Sequence, residues 1–154
     1  MTVDELREEI GIELESIGNT VRELASLRTD LGTREPTIRE KTAAAAFMAQ
    51  FYGGVENILK RICRFNGIPL PTGDTWHIDL FRRFCKPSHG PLPELFDDAL
   101  ASTMPAFRKF RHVVYHGYGF QLDWNRMQEG LINTDDTFRK FTLALNGYLQ
   151  TLNR

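Results

Sequence analysis

Between positions 111 and 118 the chain reads Arg111-His112-Val113-Val114-Tyr115-His116-Gly117-Tyr118, an arginine, a histidine and a tyrosine at relative offsets of zero, five and seven. These residue types suit transfer at a phosphodiester. An imidazole with a pKa near ~6.5 can exchange protons at neutral pH. A planar guanidinium can grip two phosphate oxygens and stabilise the charge that builds on them, a task often given to a metal ion. An RNA 2′-hydroxyl attacking its own phosphate needs such a proton acceptor, a proton donor and such a clamp. On a helix advancing ~100° per residue, offset seven returns Tyr118 to the face of Arg111, whereas offset five leaves His116 about 140° away. Convergence of Arg111 with His116 therefore draws on the long arginine stem and on backbone that departs from helical geometry near Gly117 and Gly119.

Other chemistries find less support. His112 and His116 stand four apart, a spacing able to hold a metal, but HVVYH lacks the glutamate of a zinc hydrolase and no third ligand suggests itself. No metal site and no cofactor are expected. The only cysteines, Cys63 and Cys85, have no activating base nearby in sequence and suit reduced thiols. His77 and His89 sit beside loops, with no partner that suggests chemistry. The formal net charge of −1 exerts no global pull on nucleic acid, so RNA contact would rest on a local basic patch. Arg82, Arg83 and Lys86 are read as a solvated face, while Arg108 and Lys109 share the helix of the motif and are the candidate RNA-backbone contacts.

The elements that must position these residues are helical. Val3, Leu6, Ile10, Leu14, Ile17, Val21, Leu24 and Leu31 mostly recur at steps of three and four and predict an amphipathic helix that Gly32 stops. Pro36 can enter the first turn of a second long helix, carrying Ile38, Met48, Tyr52, Val55, Leu59 and Ile62 to Phe65. GIPLPTGD interrupts the pattern before a short helix from about Thr75 to Cys85, with Asp74 as its cap. Helix resumes from about Pro93, and Pro105 is expected to kink or restart it, with Ser102 or Thr103 capping the new segment. Asp123 should cap a last helix whose stripe from Trp124 through Met127, Leu131, Phe141 and Leu145 to Leu152 is near-heptad and roughly 45 Å long.

The 154 residues suffice for one core, with 42% hydrophobic and 25% charged residues, so one domain spanning 1–154 is expected. No apolar run approaches the ~20 residues needed to cross a bilayer, and the acidic opening MTVDELREEI is unlike a signal peptide; a cytoplasmic protein is expected. No stretch alternates for long like a strand. The fold class is all-α: an antiparallel bundle of four to five main helices.

The pattern Arg-x4-His-x-Tyr, here RHVVYHGY late in an all-helical chain, resembles the signature of HEPN toxins of the HepT type. The stretch FYGGVENILKRI adds a weaker likeness, with Glu56 bordering the apolar stripe much as an acidic residue does in HEPN domains. The resemblance implies that Arg111 and His116 are the catalytic pair of a metal-independent endoribonuclease, and that the family tyrosine falls on Tyr118. It puts His112 in a supporting position more often held by asparagine or aspartate. Glu56 either orients Arg111 or stands as a rim carboxylate. Also implied are a homodimer, which would set two copies of His116 across a shared cleft, and a partner. That partner is a minimal nucleotidyltransferase antitoxin able to transfer AMP to Tyr118, and a bulky anion there would repel an RNA phosphate. The alternative is a catalytically idle HEPN protein that serves as binding partner and AMPylation substrate of that transferase. A helical scaffold is a third reading.

Overall fold

In the computed structural model, which describes residues 1–116 and 122–152, five helices follow in order. They are α1 (Val3–Leu31), α2 (Ile38–Phe65), α3 (Trp76–Arg82), α4 (Asp98–Tyr115) and α5 (Trp124–Thr151). Among the described residues the sole β feature is an isolated bridge between Cys85 and Phe96, so the all-α bundle expected from the periodicities is the fold. No helix among these residues is long and apolar enough to cross a membrane.

The two longest-range decisions at the N-terminal end are local in origin. Thr2 with Glu5, and Thr37 with Glu40, each form a capping box, in which the threonine hydroxyl accepts from the third backbone amide and the glutamate accepts from the cap amide. Pro36 thus lies one residue outside the cap of α2 rather than within its first turn. α1 runs antiparallel to α2, because Ile17 meets Gly54 while Glu9 and Glu13 pair with Arg61. It is likewise antiparallel to α5, with Arg7 donating to the Leu149 carbonyl and Gly18 lying against Phe138. The α1–α2 approach requires glycine at position 54: a Cβ there would fall 2.4 Å from Ile17 Cγ1. α2 packs on each of the other four helices, and its residues Met48, Phe51, Tyr52, Val55, Ile58 and Ile62 form the middle of the core.

From α3 onward the structure departs from expectation: α3 ends at Arg82 rather than near Cys85, and α4 begins at Asp98 rather than near Pro93. The short helix starts at Trp76 with Thr75, not Asp74, in the cap position, and no side chain caps it. More telling, α4 runs unbroken from Asp98 to Tyr115 through Pro105, capped by Asp97 accepting from the Leu100 amide; Ser102 and Thr103 bond back to the carbonyls of Asp98 and Ala99 within the helix. An interior proline costs about 3 kcal/mol. Burial of Leu100, Met104, Phe107 and Phe110 on one face of that helix, at ~1.5–3 kcal/mol each, outweighs it. The result is a single rigid rod that carries both Phe107, edge-on to Phe51 at 5.0 Å, and the 111–116 segment one turn beyond. Asp123 caps α5 as expected, accepting from the Asn125 amide.

Candidate active site

Glu56 is the point from which the site is built. It lies on the buried side of α2, only 2% exposed, between Val55 and Ile58 of the core. A carboxylate in such a place must be paired and hydrogen-bonded or give up its charge. Two helices supply partners. From α3, His77 Nδ1 lies 2.5 Å from Glu56 Oε2; from α4, Arg111 Nε lies 3.3 Å from Oε1, close enough for an ion pair although outside hydrogen-bond alignment. The ring closes between those partners, with Arg111 Nη1 3.2 Å from His77 Nε2. His77 and Arg111 keep about a quarter of their side-chain surface exposed, so the triad is half-open rather than sealed.

Aromatic faces complete the seat of the guanidinium. Its carbon lies 4.6 Å from the centre of the Tyr115 ring, one helical turn on, and 6.0 Å from that of Trp76. Trp76 is itself held under Lys60 at 4.4 Å and packs against the His77 ring. Beside this seat opens a cleft of about 360 Å³ between α1 and α2. Its walls are largely polar, including Ser16, Thr20, Gln50, Asn57 and Lys60, and Glu56, Arg111 and Tyr115 border it.

Tyr52, one turn before Glu56 on α2, has a buried hydroxyl that faces the Arg108 side chain outside hydrogen-bond alignment. Burial first, and the Glu56 carboxylate second, push this phenol up to about 12, with Arg108 and Arg111 acting in the opposite direction.

The other half of the motif has different neighbours. α4 stays helical to Tyr115, so the offset of roughly 140° between positions 111 and 116 holds in the folded chain. His116 is the C-cap residue, its amide donating to the His112 carbonyl at 3.0 Å, and the rings of His112 and His116 lie 4.1 Å apart. Both histidines are exposed. Of the candidate RNA contacts, Arg108 is half-buried with its guanidinium 5.8 Å from the Phe81 ring, and Lys109 is exposed. Tyr118 lies outside the described residues. Among the described residues no group of three or more His, Cys, Asp or Glu is placed to hold a metal ion.

The structure therefore joins Arg111 with Glu56, one of the two options the sequence left open, and places His112 beside His116. It also adds a residue that the sequence reading set aside: His77, 34 positions from Arg111 and 21 from Glu56, is the third member of the half-open triad. The signal for it was Glu56, since a carboxylate inside an apolar run calls for more than one partner.

With this geometry in view, comparison with known proteins is specific on one point: the family profile described as HepT-like protein matches residues 43–152. The chain belongs to this HepT-like family. The match begins inside α2 and ends with α5, so it takes in Glu56, His77, Arg111 and His116 together with the cleft-facing part of α2. No match was found among curated proteins or among solved structures.

Proposed function

We propose that this HepT-like chain is the toxin of a type VII HEPN/minimal nucleotidyltransferase pair, a cytoplasmic endoribonuclease that cuts RNA through Arg111 and His116. The observation that carries this reading is the seat of Arg111: a guanidinium pinned by a buried carboxylate and an imidazole, cradled on Tyr115, at the border of a polar cleft. Preorganised positive charge beside a groove is what a transferring phosphate requires. In the reaction the RNA 2′-oxygen bonds to phosphorus as its proton passes to His116. The 5′-oxygen leaves, taking a proton from a second acid, and a 2′,3′-cyclic phosphate remains. Arg111 holds the non-bridging oxygens throughout, which removes the need for a metal ion. A homodimer would provide the second acid as the other copy of His116. Lys109 and Arg108 would bear on the flanking backbone, with His112 supporting His116. AMP transfer to Tyr118 by the partner transferase would silence the site.

A second reading has a specific observation in its favour. Glu56 already compensates the charge of Arg111, and His116 leaves α4 on another side. Both fit an idle HEPN protein whose task is to bind, and be modified by, the transferase. Incubating the purified protein with total RNA in EDTA separates the two. The nuclease reading expects products ending in 2′,3′-cyclic phosphate, lost in Arg111→Ala and His116→Ala, with transferase binding kept in both. Intact RNA under those conditions, with the transferase still bound, would leave the idle reading standing.

A further inference from the structure

We infer that His77 is a positioning residue for Arg111, its ring donating to Glu56 and accepting from the guanidinium, and so aiming that guanidinium at the cleft. An arginine has N–H donors and no acceptor; an ionised carboxylate has acceptors and no donor. His77 stands between one of each, with Nδ1 2.5 Å from Glu56 Oε2 and Nε2 3.2 Å from Arg111 Nη1. Only one state of the ring satisfies both neighbours: neutral, with its proton on Nδ1 donated to Glu56 and the Nε2 lone pair accepting from Arg111. The opposite tautomer, or the imidazolium, would turn an N–H at Nε2 against an N–H of the guanidinium.

The charged groups in contact with the ring are of opposite sign, Glu56 on α2 and Arg111 on α4. Lys60 lies over the adjacent Trp76 ring. His77 does not itself border the cleft, whereas Glu56 and Arg111 do. It therefore acts through the arginine: Glu56 fixes one edge of the guanidinium and His77 a second, and two points define the direction of a planar group where one would let it swivel.

The inference rests on the nuclease reading for its catalytic consequence but not for its geometry, so the test has two parts. In the full-length protein, 15N-edited NMR of the histidine rings at neutral pH should find His77 neutral with its proton on Nδ1. A ring protonated at Nε2 would overturn the proposal whatever the enzyme does. In RNA cleavage under EDTA, His77→Ala should lower kcat by about 10- to 100-fold, the scale of a misplacement near 1 Å, with KM within about twofold. His77→Gln can donate to Glu56 and accept from Arg111 without titrating. It should recover most of the lost rate. Wild-type kcat in His77→Ala, or a His77→Gln enzyme as slow as the alanine variant, would overturn it. Should the wild type leave RNA intact, the nuclease reading fails, and the ring tautomer alone decides the inference.

Discussion

Arg111 and His116 are separated by five residues on one helix, yet they belong to opposite kinds of surroundings. The arginine reaches inward, to a carboxylate that is 2% exposed, a second imidazole and two aromatic rings drawn from α2, α3 and α4. The histidine is exposed at the C-cap, its ring tilted against that of His112 on its own helix. One half of the motif is thus part of the packing that holds three helices together; the other is mounted on the surface. A clamp on a phosphate gains from being fixed in advance, since any reorganisation at the moment of reaction adds to the barrier. A proton carrier needs contact with water and substrate. The contrast also means that stability and chemistry are coupled at one end of the segment and separable at the other.

The largest effect should come from Arg111→Ala. It is expected to abolish RNA cleavage and also to leave Glu56 short of a cation in a buried place, costing about 1–3 kcal/mol. That would lower the melting temperature by roughly 5 °C. Adding Glu56→Gln to the same chain should return part of the lost stability and none of the cleavage; if calorimetry finds the single and double variants equally stable, the pairing is not what anchors this end. His116→Ala should lower cleavage by about 10²- to 10⁴-fold, the usual range for loss of a general acid or base, with melting within roughly 2 °C of wild type. A marked loss of stability there would erase the distinction between the two ends.

Tyr52 reports on the buried end from another direction. The phenol of an unfolded tyrosine ionises near 10, that of folded Tyr52 near about 12. A group whose folded pKa is raised keeps its contribution below the unfolded value and loses it as pH climbs between the two, here from pH 10 to 12. Denaturant melts across that window should show wild type losing on the order of 2–3 kcal/mol more than Tyr52→Phe. Phenylalanine, which removes a buried hydroxyl lacking an aligned partner, should cost little at neutral pH. Parallel curves for the two proteins would place the hydroxyl in contact with water. The smallest effect belongs to the exposed face: Lys109→Ala should weaken RNA binding uniformly across sequences and reduce the salt slope by about one, without touching the melting temperature.

Much of the scaffold was legible in the residues. The apolar stripes of α1, α2 and α5, the Asp123 cap and the 140° between positions 111 and 116 follow from helical periodicity, and the structure keeps them. Pro105 was not legible. The local cost of a proline is visible in sequence, whereas the burial of Leu100, Met104, Phe107 and Phe110 that overrides it exists only once α2 and α5 are in place. The cap of α3 was missed for a similar reason, since its start is set by the amide of Trp76 bonding back to Gly73 and not by a side chain.

By itself the sequence determined which side chains are available for chemistry and on which face of which helix each must stand, because helical geometry repeats with a fixed angle and needs only local hydrogen bonds. What the tertiary structure decided is company. Glu56, His77 and Arg111 come from three helices and from positions 21 and 34 residues apart, and no local rule links them. They meet because a carboxylate taken out of water beside Val55 and Ile58 must find a donor and a cation, and the packing of α3 and α4 on α2 is what brings both within reach.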